Sequence, residues 1–523
     1  MKAKTQLRVD GQRLWDCIMA MGEIGPGQHG GSSRLALTDT DREGRDLFVR
    51  WCEEIGCSIR VDDMGNIFAR RAGRNNDLPP IVAGSHLDTQ PHGGKFDGIY
   101  GVLAALEAVR TLHDNDVTTE APLEVVVWTN EEGSRFAPAM IASGVYAGLF
   151  AKDFAWAITD SDGKSLGEEL ERIGYKGDMP CGENRIGALL EAHIEQGPIL
   201  EADNHQIGVV VGGQGQHWYD VTLKGQDSHA GSTPMPGRRD ALVAAAEVIS
   251  MVQALALEHA PQAVSTVGEM EVRPNSRNTI PGEVFFTIDI RNPDEAVLAQ
   301  MAAQINAMVP AIADKHGVEC ELVEIWDKPP VKFDPDCIAA VSKATEALGY
   351  AHQQMVSGAG HDACQVCLVA PTSMIFVPCA GGLSHNEQES AEPEDLEAGC
   401  NVLLHAMLTL ANIGFHHEVG LGAVKLAQEV VRKQTRPALA GFDVFDEARK
   451  GLASPYQRHA PYFQRSRLPA IPSAISVKTT AVPRSATVAP SSLRTDGASD
   501  MINPKNANMI SPATPIHSAS SIS

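Results

Sequence analysis

Two short apolar segments near the start of the chain, each followed directly by polar residues, constrain the fold most. Residues 81–84 (IVAG) and 123–128 (LEVVVW) have the length and composition of buried strands, and a helix-like segment at residues 101–109 lies between them. Helices that alternate with short buried strands predict an α/β layered sheet. Such sheets place functional sites just beyond the carboxyl ends of their strands, where these polar residues fall.

The pattern of the chain changes near residue 214 and changes back near residue 330. Between them we predict strands at 218–223, 263–269, 282–291 and 319–325, and helices at 240–257 and 293–316. These elements predict a small antiparallel sheet with two helices. We therefore expect a larger α/β domain of residues 1–213 and 330–415, interrupted by a smaller α+β domain of residues 214–329.

The extension at residues 416–523 differs in composition from the rest of the chain. Its last 59 residues, from residue 465, contain 12 Ser, 7 Pro and no aromatic residue. Such a segment buries too little apolar surface to offset its loss of conformational entropy, so we expect disorder from about residue 465. Its role stays open between a binding extension and a non-functional read-through.

The charge and cysteine content limit the classes of partner and the compartment. The chain carries 66 acidic and 43 basic residues, a net charge of −23, which disfavours nucleic-acid and anionic-membrane partners. The sequence has neither an uncharged apolar run of about 18 residues nor an apolar segment behind its first lysines. Ten cysteines are too few for a disulfide framework. We expect a cytoplasmic protein without a membrane span.

Clusters of His, Asp and Glu carry the chemistry, and they lie at residues 84–98, 128–133, 191–197 and 381–387. These residue types without cysteine suit Zn²⁺ or Mn²⁺ in a hydrolytic site. In an extended segment His86 and Asp88 face the same side, so the Asp88 carboxylate could orient the His86 imidazole. Glu131 and Glu132 would repel each other unless a cation lay between them, with one as ligand and the other as base.

Five segments, residues 86–98, 128–136, 191–200, 229–240 and 384–389, together resemble the dinuclear-metal amidohydrolases of the aminoacylase and carboxypeptidase clan. Within that clan they are most similar to the branch of N-carbamoyl-amino-acid hydrolases, β-ureidopropionases and allantoate amidohydrolases. The resemblance runs in order from about residue 10 to residue 412. It implies that the inserted domain is a lid through which two copies form a homodimer.

The resemblance also implies two divalent metal ions, Zn²⁺ or Mn²⁺, in each subunit. Two sets of residues would bind them: His86, Asp97 and His193 for the first, and Asp97, Glu132 and His385 for the second. Asp97 would therefore bridge the two ions. Glu131 would be the general base for the attacking water, and Asp88 would orient His86.

The same resemblance assigns the residues that would bind the substrate. His229 would stabilise the oxyanion of the tetrahedral intermediate. Gln196 would hydrogen-bond the ureido group, and Asn278 and Arg291 would bind the substrate carboxylate. His361 would complete the pocket. The implied reaction is hydrolysis of the carbamoyl C–N bond of an N-carbamoyl amino acid, with release of the amino acid, CO₂ and ammonia.

Other readings remain as alternatives. Allantoate is the alternative substrate, although residues 84–91 and 172–178 look closer to β-ureidopropionases and favour N-carbamoyl-β-alanine slightly. Gln196 and His361 match the ureido-cleaving branch better than simple aminoacylases or peptidases. A catalytically inactive relative that only binds a ligand is disfavoured, because every expected ligand and the base are present. We interpret the Cys364 and Cys367 pair as structural, and the glycine-rich residues 212–217 as a hinge.

Overall fold

A computed structural model describes residues 7–413 of the 523-residue chain. The predictions for residues 416–523, including disorder from about residue 465, lie outside these residues. The strands are β1 (Ser58–Val61), β2 (Ile67–Arg71), β3 (Ile81–His86), β4 (Leu123–Trp128), β5 (Ala188–Ile194), β6 (Ile207–Gly213), β7 (Gly215–Lys224), β8 (Ser228–His229), β9 (Val264–Thr266), β10 (Met270–Arg273), β11 (Thr279–Ile280), β12 (Glu283–Asn292), β13 (Glu319–Lys328), β14 (Val331–Lys332), β15 (His352–Ser357) and β16 (Thr372–Val377).

The described residues form twelve α-helices, some of which have side-chain or glycine caps. They are α1 (Gly11–Gly22), α2 (Asp39–Glu53), α3 (Ile99–Asp114), α4 (Ile141–Tyr146), α5 (Lys152–Ala157), α6 (Leu166–Ile173), α7 (Ile199–Ala202), α8 (Ala241–Glu258), α9 (Glu295–His316), α10 (Pro335–Leu348), α11 (Ala363–Val366) and α12 (Pro393–Ile413). Asp240 and Asp294 cap α8 and α9 by accepting hydrogen bonds from backbone N–H groups of the first turn. Gly317 ends α9 in the left-handed conformation that glycine tolerates.

The larger sheet has nine strands in the order β1-β2-β4-β3-β5-β16-β6-β14, with β15 paired to β6. Its central strands β4, β3, β5 and β16 run parallel to one another. All residues of β3, β4, β5 and β16 are buried, because helices cover the sheet. Helices α3 and α12 pack on one face, and their apolar side chains form the largest core cluster with those of the strands.

The second sheet has five strands, in the order β10-β12-β7-β13 with β9 paired to β12, and all its pairs are antiparallel. Along β12 partly buried and fully buried residues alternate, as expected of a strand covered on one face. Its buried residues Phe286 and Ile288 pack with side chains of α8 and α9 in a separate core cluster. Residues 215–328 therefore have a sheet and a core of their own.

Most predicted elements of the sequence are present, and the α/β class is confirmed. The strand at 123–128 has the predicted bounds, and the small antiparallel sheet carries the two predicted helices. The strand predicted at 263–269 is wrong, because the chain forms β9 and β10 with Gly268 between them. The role of residues 214–329 as a lid and dimerisation domain stays a prediction.

Helices α8 and α9 are long and apolar enough to cross a membrane by length and composition alone, with mean hydropathies of 1.7 and 1.4. In this structure each packs against the second sheet, and residues such as Val248 and Ile305 lie in its core. Glu247, within α8, pairs with Lys315 and His316. The buried side chains of both helices therefore belong to the core of the second sheet.

Candidate metal centre and substrate site

The candidate site lies beyond the carboxyl ends of four adjacent parallel strands. His86 is the last residue of β3, His193 is the penultimate residue of β5, and Glu131 and Glu132 follow β4. His385 follows β16. Because parallel strands end at one edge of a sheet, the fold brings residues from all four segments together there, as the sequence predicted.

Two groups of potential metal ligands share Asp97. The groups are His86, Asp97 and His193, and Asp97, Glu132 and His385, with the ligand atoms of each group within 4.8 Å of one another. In the first group Asp97 Oδ1 lies 3.5 Å from His86 Nε2 and 3.2 Å from His193 Nε2. In the second, His385 Nε2 lies 3.4 Å from Asp97 Oδ2 and 3.5 Å from Glu132 Oε2. Each oxygen of Asp97 thus faces one group.

Backbone carbonyls orient the two buried imidazoles. The Nδ1 atom of His86 lies 2.8 Å from the carbonyl oxygen of Asp88, and Nδ1 of His193 lies 2.9 Å from that of Ile194. A carbonyl only accepts, so each Nδ1 carries a hydrogen, and in the neutral ring each Nε2 presents its lone pair to the site. This tautomer leaves Nε2 able to bind a metal.

The structure corrects the role predicted for the Asp88 side chain. Strand β3 ends at His86, so the extended geometry that would place both side chains on one face does not reach Asp88. The backbone carbonyl of Asp88, and not its carboxylate, bonds to His86. The carboxylate instead accepts the N–H groups of Glu131 (3.3 Å) and Glu132 (3.2 Å) and so fixes the segment after β4.

Gly98 permits the close approach of Asp97 to the histidines. Its φ is +69°, and a Cβ atom there would lie 2.3 Å from Cε1 of His86. Its backbone N–H also donates to His193 Nε2 at 3.1 Å. Glycine suits this position because it adopts a positive φ without strain and has no Cβ to collide with the imidazole.

The carboxylates of the site are crowded in a buried volume. Burial raises the pKa of Glu131 well above its usual range, and burial together with nearby Asp97 raises the pKa of Glu132 to about 8. Burial also opposes ionisation of Asp97, but the adjacent His193 and His86 imidazoles hold its pKa well below the usual range. Cations at the two groups would neutralise this excess of negative charge.

The donor set fits divalent cations of the borderline type. Imidazole nitrogens and carboxylate oxygens, with no thiolate in either group, match Zn²⁺ or Mn²⁺. A third group, Glu191, His193 and His361, also has ligand atoms within 4.8 Å. Its Glu191 oxygens already accept from Ser85 Oγ (2.6 Å) and the N–H of Ala363 (3.0 Å), so protein donors satisfy it.

Gln196 has one amide atom engaged and one free to bind a ligand. Its Nε2 donates to Asp97 Oδ2 at 2.7 Å, which leaves Oε1 buried without a hydrogen-bond partner among the described residues. Both Gln196 and His385 have positive φ angles, 58° and 52°, a costly conformation that clusters at functional sites. A free buried acceptor of this kind matches an N–H donor of a substrate.

His361 lies behind the first group in a neutral form. Its ring centroid is 4.5 Å from that of His193, and its Nε2 is 3.0 Å from Ser357 Oγ. Burial, with nearby His193, lowers the pKa of His361 well below its usual range. The Ser357 hydroxyl donates to the carbonyl of Ala359, so Nε2 of His361 donates to Ser357.

The remaining predicted substrate residues lie in the region of the second sheet. His229 is exposed, and its Nδ1 accepts two backbone N–H groups, from Gly231 and Ser232, at 3.1 Å each. Its Nε2 therefore carries the hydrogen, as an oxyanion donor requires. Asn278 is also exposed, and its carbonyl accepts the N–H of Ala230. None of the described contacts joins His229 or Asn278 to the metal groups.

Arg291 contacts a segment outside the second sheet, but its guanidinium is already paired. Nη2 lies 2.7 Å from Asp289 Oδ2, and Nε lies 3.1 Å from Oδ1 of the same carboxylate. Nη1 donates to the carbonyl of Gly358 at 3.0 Å, four residues from the buried Asp362. The sequence did not indicate the Asp289 pair, although positions 289 and 291 share one face of β12.

Three further residues hold the metal groups and were not singled out from the sequence. Gln90 donates to both oxygens of Glu132, from its backbone at 3.1 Å and its side chain at 2.7 Å. Ser384 Oγ lies 2.9 Å from Asp97 Oδ2, and Glu389 accepts the N–H group of Asp97 at 3.1 Å. The only sequence signal for them is their position next to, or within, the clusters that carry the ligands.

Residues 82–409 match Peptidase family M20/M25/M40. The chain belongs to this family. An N-carbamoyl-L-amino-acid amidohydrolase of Rhizobium meliloti is 53% identical over 406 residues, which are 78% of this chain and 98% of that protein. The match confirms both the resemblance to this branch and the class of hydrolases predicted from the sequence.

Two other similarities concern substrate names and fold. An allantoate amidohydrolase of Bacillus subtilis is 35% identical over 400 residues, which are 76% of this chain and 97% of that protein. The crystal structure of an amidase of the hydantoinase/carbamoylase family from Burkholderia multivorans has a TM-score of 0.76 and 59% identity. It covers 77% of this chain and 98% of its own. The architecture is therefore that of the M20/M25/M40 family.

Proposed function

We propose that the protein hydrolyses the carbamoyl C–N bond of N-carbamoyl amino acids and releases the amino acid, CO₂ and ammonia. The observation that carries this proposal is the pair of ligand groups that share Asp97, beside a buried amide with a free acceptor. The name of the Rhizobium meliloti relative, at 53% identity over almost its whole length, supports the same reaction.

We propose two divalent cations per chain, one at each group, with Zn²⁺ or Mn²⁺ as the natural ions. When bound, they would polarise the scissile carbonyl and lower the pKa of the attacking water. A ureido carbonyl is a poor electrophile because both of its nitrogens donate electrons to it. The residues that would hold the ions are His86, Asp97, Glu132, His193 and His385.

Glu131 is our candidate for the general base. Its Oε2 lies 3.6 Å from His86 Nε2, next to the first ligand group, and its backbone is fixed by the Asp88 carboxylate. The Glu131 carboxylate would take a proton from the attacking water and deliver it to the departing nitrogen. The N–H at Nε2 of His229 would stabilise the developing oxyanion.

The substrate is held at its two polar ends in this proposal. Oε1 of Gln196 would accept an N–H of the ureido group, and Arg291 would bind the carboxylate with help from Asn278. Arg291 suits this role because its planar fork pairs with both oxygens of a carboxylate. His361, which is neutral and adjacent to His193, would complete the wall of the pocket.

The relatives favour L-α-amino acid derivatives over the N-carbamoyl-β-alanine preferred from the sequence. The name of the Rhizobium meliloti relative specifies an L-amino acid, and so do those of relatives from Paenarthrobacter aurescens and Geobacillus stearothermophilus at 38% and 36% identity. The allantoate amidohydrolase of Bacillus subtilis, at 35%, keeps allantoate as the second candidate substrate. The preference for the β-alanine derivative stays a prediction.

Residues 214–329 are proposed to form a lid, through which two copies make a homodimer. Their separate sheet and core support a body that can move as a unit, and Arg291 supports its contact with the catalytic region. We also propose a cytoplasmic location. All ten cysteines lie within residues 7–413 and are free, which fits a reducing compartment.

Ammonia release tests the proposed reaction. The protein, loaded with Zn²⁺ or Mn²⁺, is assayed with several N-carbamoyl-L-α-amino acids, N-carbamoyl-β-alanine and allantoate. We expect the highest kcat/KM with an N-carbamoyl amino acid. Faster turnover of allantoate would favour the second candidate. Failure with every ureido compound would reject the proposal in favour of aminoacylase or peptidase chemistry at the same site.

A further inference from the structure

We propose that Ser384 and Glu389 are positioning residues that hold Asp97, the carboxylate common to both ligand groups, in one orientation. This positioning role rests on the metal-dependent function proposed above. It is supported by hydrogen bonds among described residues that are far apart in the sequence.

Glu389 fixes the backbone around Asp97. Its Oε1 accepts the N–H groups of Phe96 at 3.0 Å and of Asp97 at 3.1 Å, and Glu389 is only 6% exposed. The backbone of Gly94 packs directly on this carboxylate, since a Cβ there would lie 2.0 Å from Oε1. Glu389 therefore anchors the turn that leads into α3 to the segment that follows β16.

Ser384 fixes the side chain of Asp97. Its Oγ lies 2.9 Å from Asp97 Oδ2 and 3.1 Å from Glu389 Oε2. A hydroxyl has one hydrogen, so it donates to only one of these carboxylates at a time. When it donates to Asp97, Oδ2 is held on the side of His385 and Oδ1 is held facing His193.

This orientation matters because Asp97 has to serve both groups. Rotation of the carboxylate about its Cβ–Cγ bond would move both oxygens at once and disturb both groups. Ligating carboxylates are commonly oriented by such outer hydrogen bonds, whose loss typically weakens metal binding by about 10–100-fold. Neither Ser384 nor Glu389 belongs to either ligand group, so their role is to position Asp97.

Two variants of Glu389 separate its charge from its hydrogen bonds. Glu389→Ala and Glu389→Gln remove the same negative charge. In Glu389→Gln the Oε1 atom still accepts the two backbone N–H groups, and the new Nε2 donates to Ser384 Oγ. Ser384 then has to direct its hydrogen to Asp97. The Gln variant therefore keeps the positioning that the Ala variant loses.

The experiment is a Zn²⁺ titration of the full-length chain in competition with a chromophoric chelator, with the melting temperature measured alongside. We expect Ser384→Ala and Glu389→Ala to weaken Zn²⁺ binding by about 10–100-fold. Glu389→Gln and Ser384→Thr, which restore the donors and acceptors, should bind Zn²⁺ much more tightly than the corresponding Ala variants. Ser373→Ala is the matched control, because its buried hydroxyl donates to the Val210 carbonyl (3.2 Å) within the same sheet.

Equal weakening in Glu389→Ala and Glu389→Gln would show that only the charge matters and would overturn the proposal. Unchanged Zn²⁺ affinity in Ser384→Ala would overturn it as well. If Glu389→Ala does not fold, the comparison of Ser384→Ala with Ser384→Thr decides. The titration contains no ureido compound, so a protein that binds Zn²⁺ as expected but releases no ammonia would reject the proposed function alone.

Discussion

Two sets of candidate residues differ in how closely the fold brings them together. One is the pair of ligand groups at the larger sheet, and the other is the set of proposed substrate residues near the second sheet. His86, Asp97 and His193 are buried, and their ligand atoms lie within 4.8 Å of one another. His229 and Asn278 are exposed. The candidate metal site follows directly from the packing of four adjacent strands. The candidate substrate site also depends on how the second region meets the first.

Arg291 belongs to the second region but contacts the first. Its guanidinium donates to the carbonyl of Gly358 and is also paired with the Asp289 carboxylate. A substrate carboxylate would have to compete with Asp289 for the guanidinium. We therefore expect changes in the first region to abolish metal binding or chemistry, and changes in the second to act on substrate and transition state with the metals in place.

Metal removal should have the largest effect. Prolonged chelation should abolish ammonia release, because both ligand groups would be empty, and added Zn²⁺, Mn²⁺ or Co²⁺ should restore it. Elemental analysis before and after chelation provides the check. Full activity in protein with only a trace of divalent metal would contradict the account of the first region.

Glu131→Gln should separate chemistry from metal binding within the first region. The change keeps the size of the side chain but removes the base, so kcat should fall by roughly 10²–10⁴-fold. Metal content should stay near that of the wild type, whereas His86→Ala should lose metal. Glu168→Gln, at an exposed position that caps α6, is the control and should leave kcat unchanged. Retention of most activity in Glu131→Gln would reject the assigned base.

His229→Ala tests the second region at the transition state. Loss of an oxyanion donor should lower kcat by about 10²–10³-fold, with little change in KM or metal content. His316→Ala removes a histidine of the same region that pairs with Glu247, and serves as the control. An unchanged kcat in His229→Ala would show that this histidine does not reach the reacting carbonyl.

Arg291→Lys should have the smallest effect of the four. An ammonium replaces a planar fork with a point charge and leaves the substrate carboxylate under-satisfied. The fall in kcat/KM should therefore correspond to about 2–4 kcal/mol of transition-state free energy, or about 30–800-fold. The control Arg273→Lys changes an arginine of the same sheet that pairs with Glu271 and Glu283. Equal kinetic effects of the two variants would remove Arg291 from the substrate site.

The sequence predicts the strands better than the contacts at their ends. Residues 123–128 are apolar except for Glu124 and are followed directly by polar residues, so local composition indicates the bounds of this strand. The bond from Ser384 to Asp97 joins residues 287 positions apart, and nothing local indicates it. The role of the Asp88 carbonyl was missed for a related reason, because it depends on where β3 ends.

The candidate ligands were found through family resemblance, and their arrangement came from the structure. Adjacent Glu131 and Glu132 did indicate a cation from their chemistry alone. That each oxygen of Asp97 faces a different ligand group could not be read from the sequence, because it depends on the conformation of Gly98 and the packing of His86 against it.

The number of metal ions bound to Asp97→Ala tests the central claim most directly. Elemental analysis of purified wild-type protein should give two divalent ions per chain. His385→Ala should retain one of them, because the group with His86 and His193 is intact. Asp97→Ala should lose both, since it removes the carboxylate that the two groups share. Retention of one or two ions by Asp97→Ala would contradict the account.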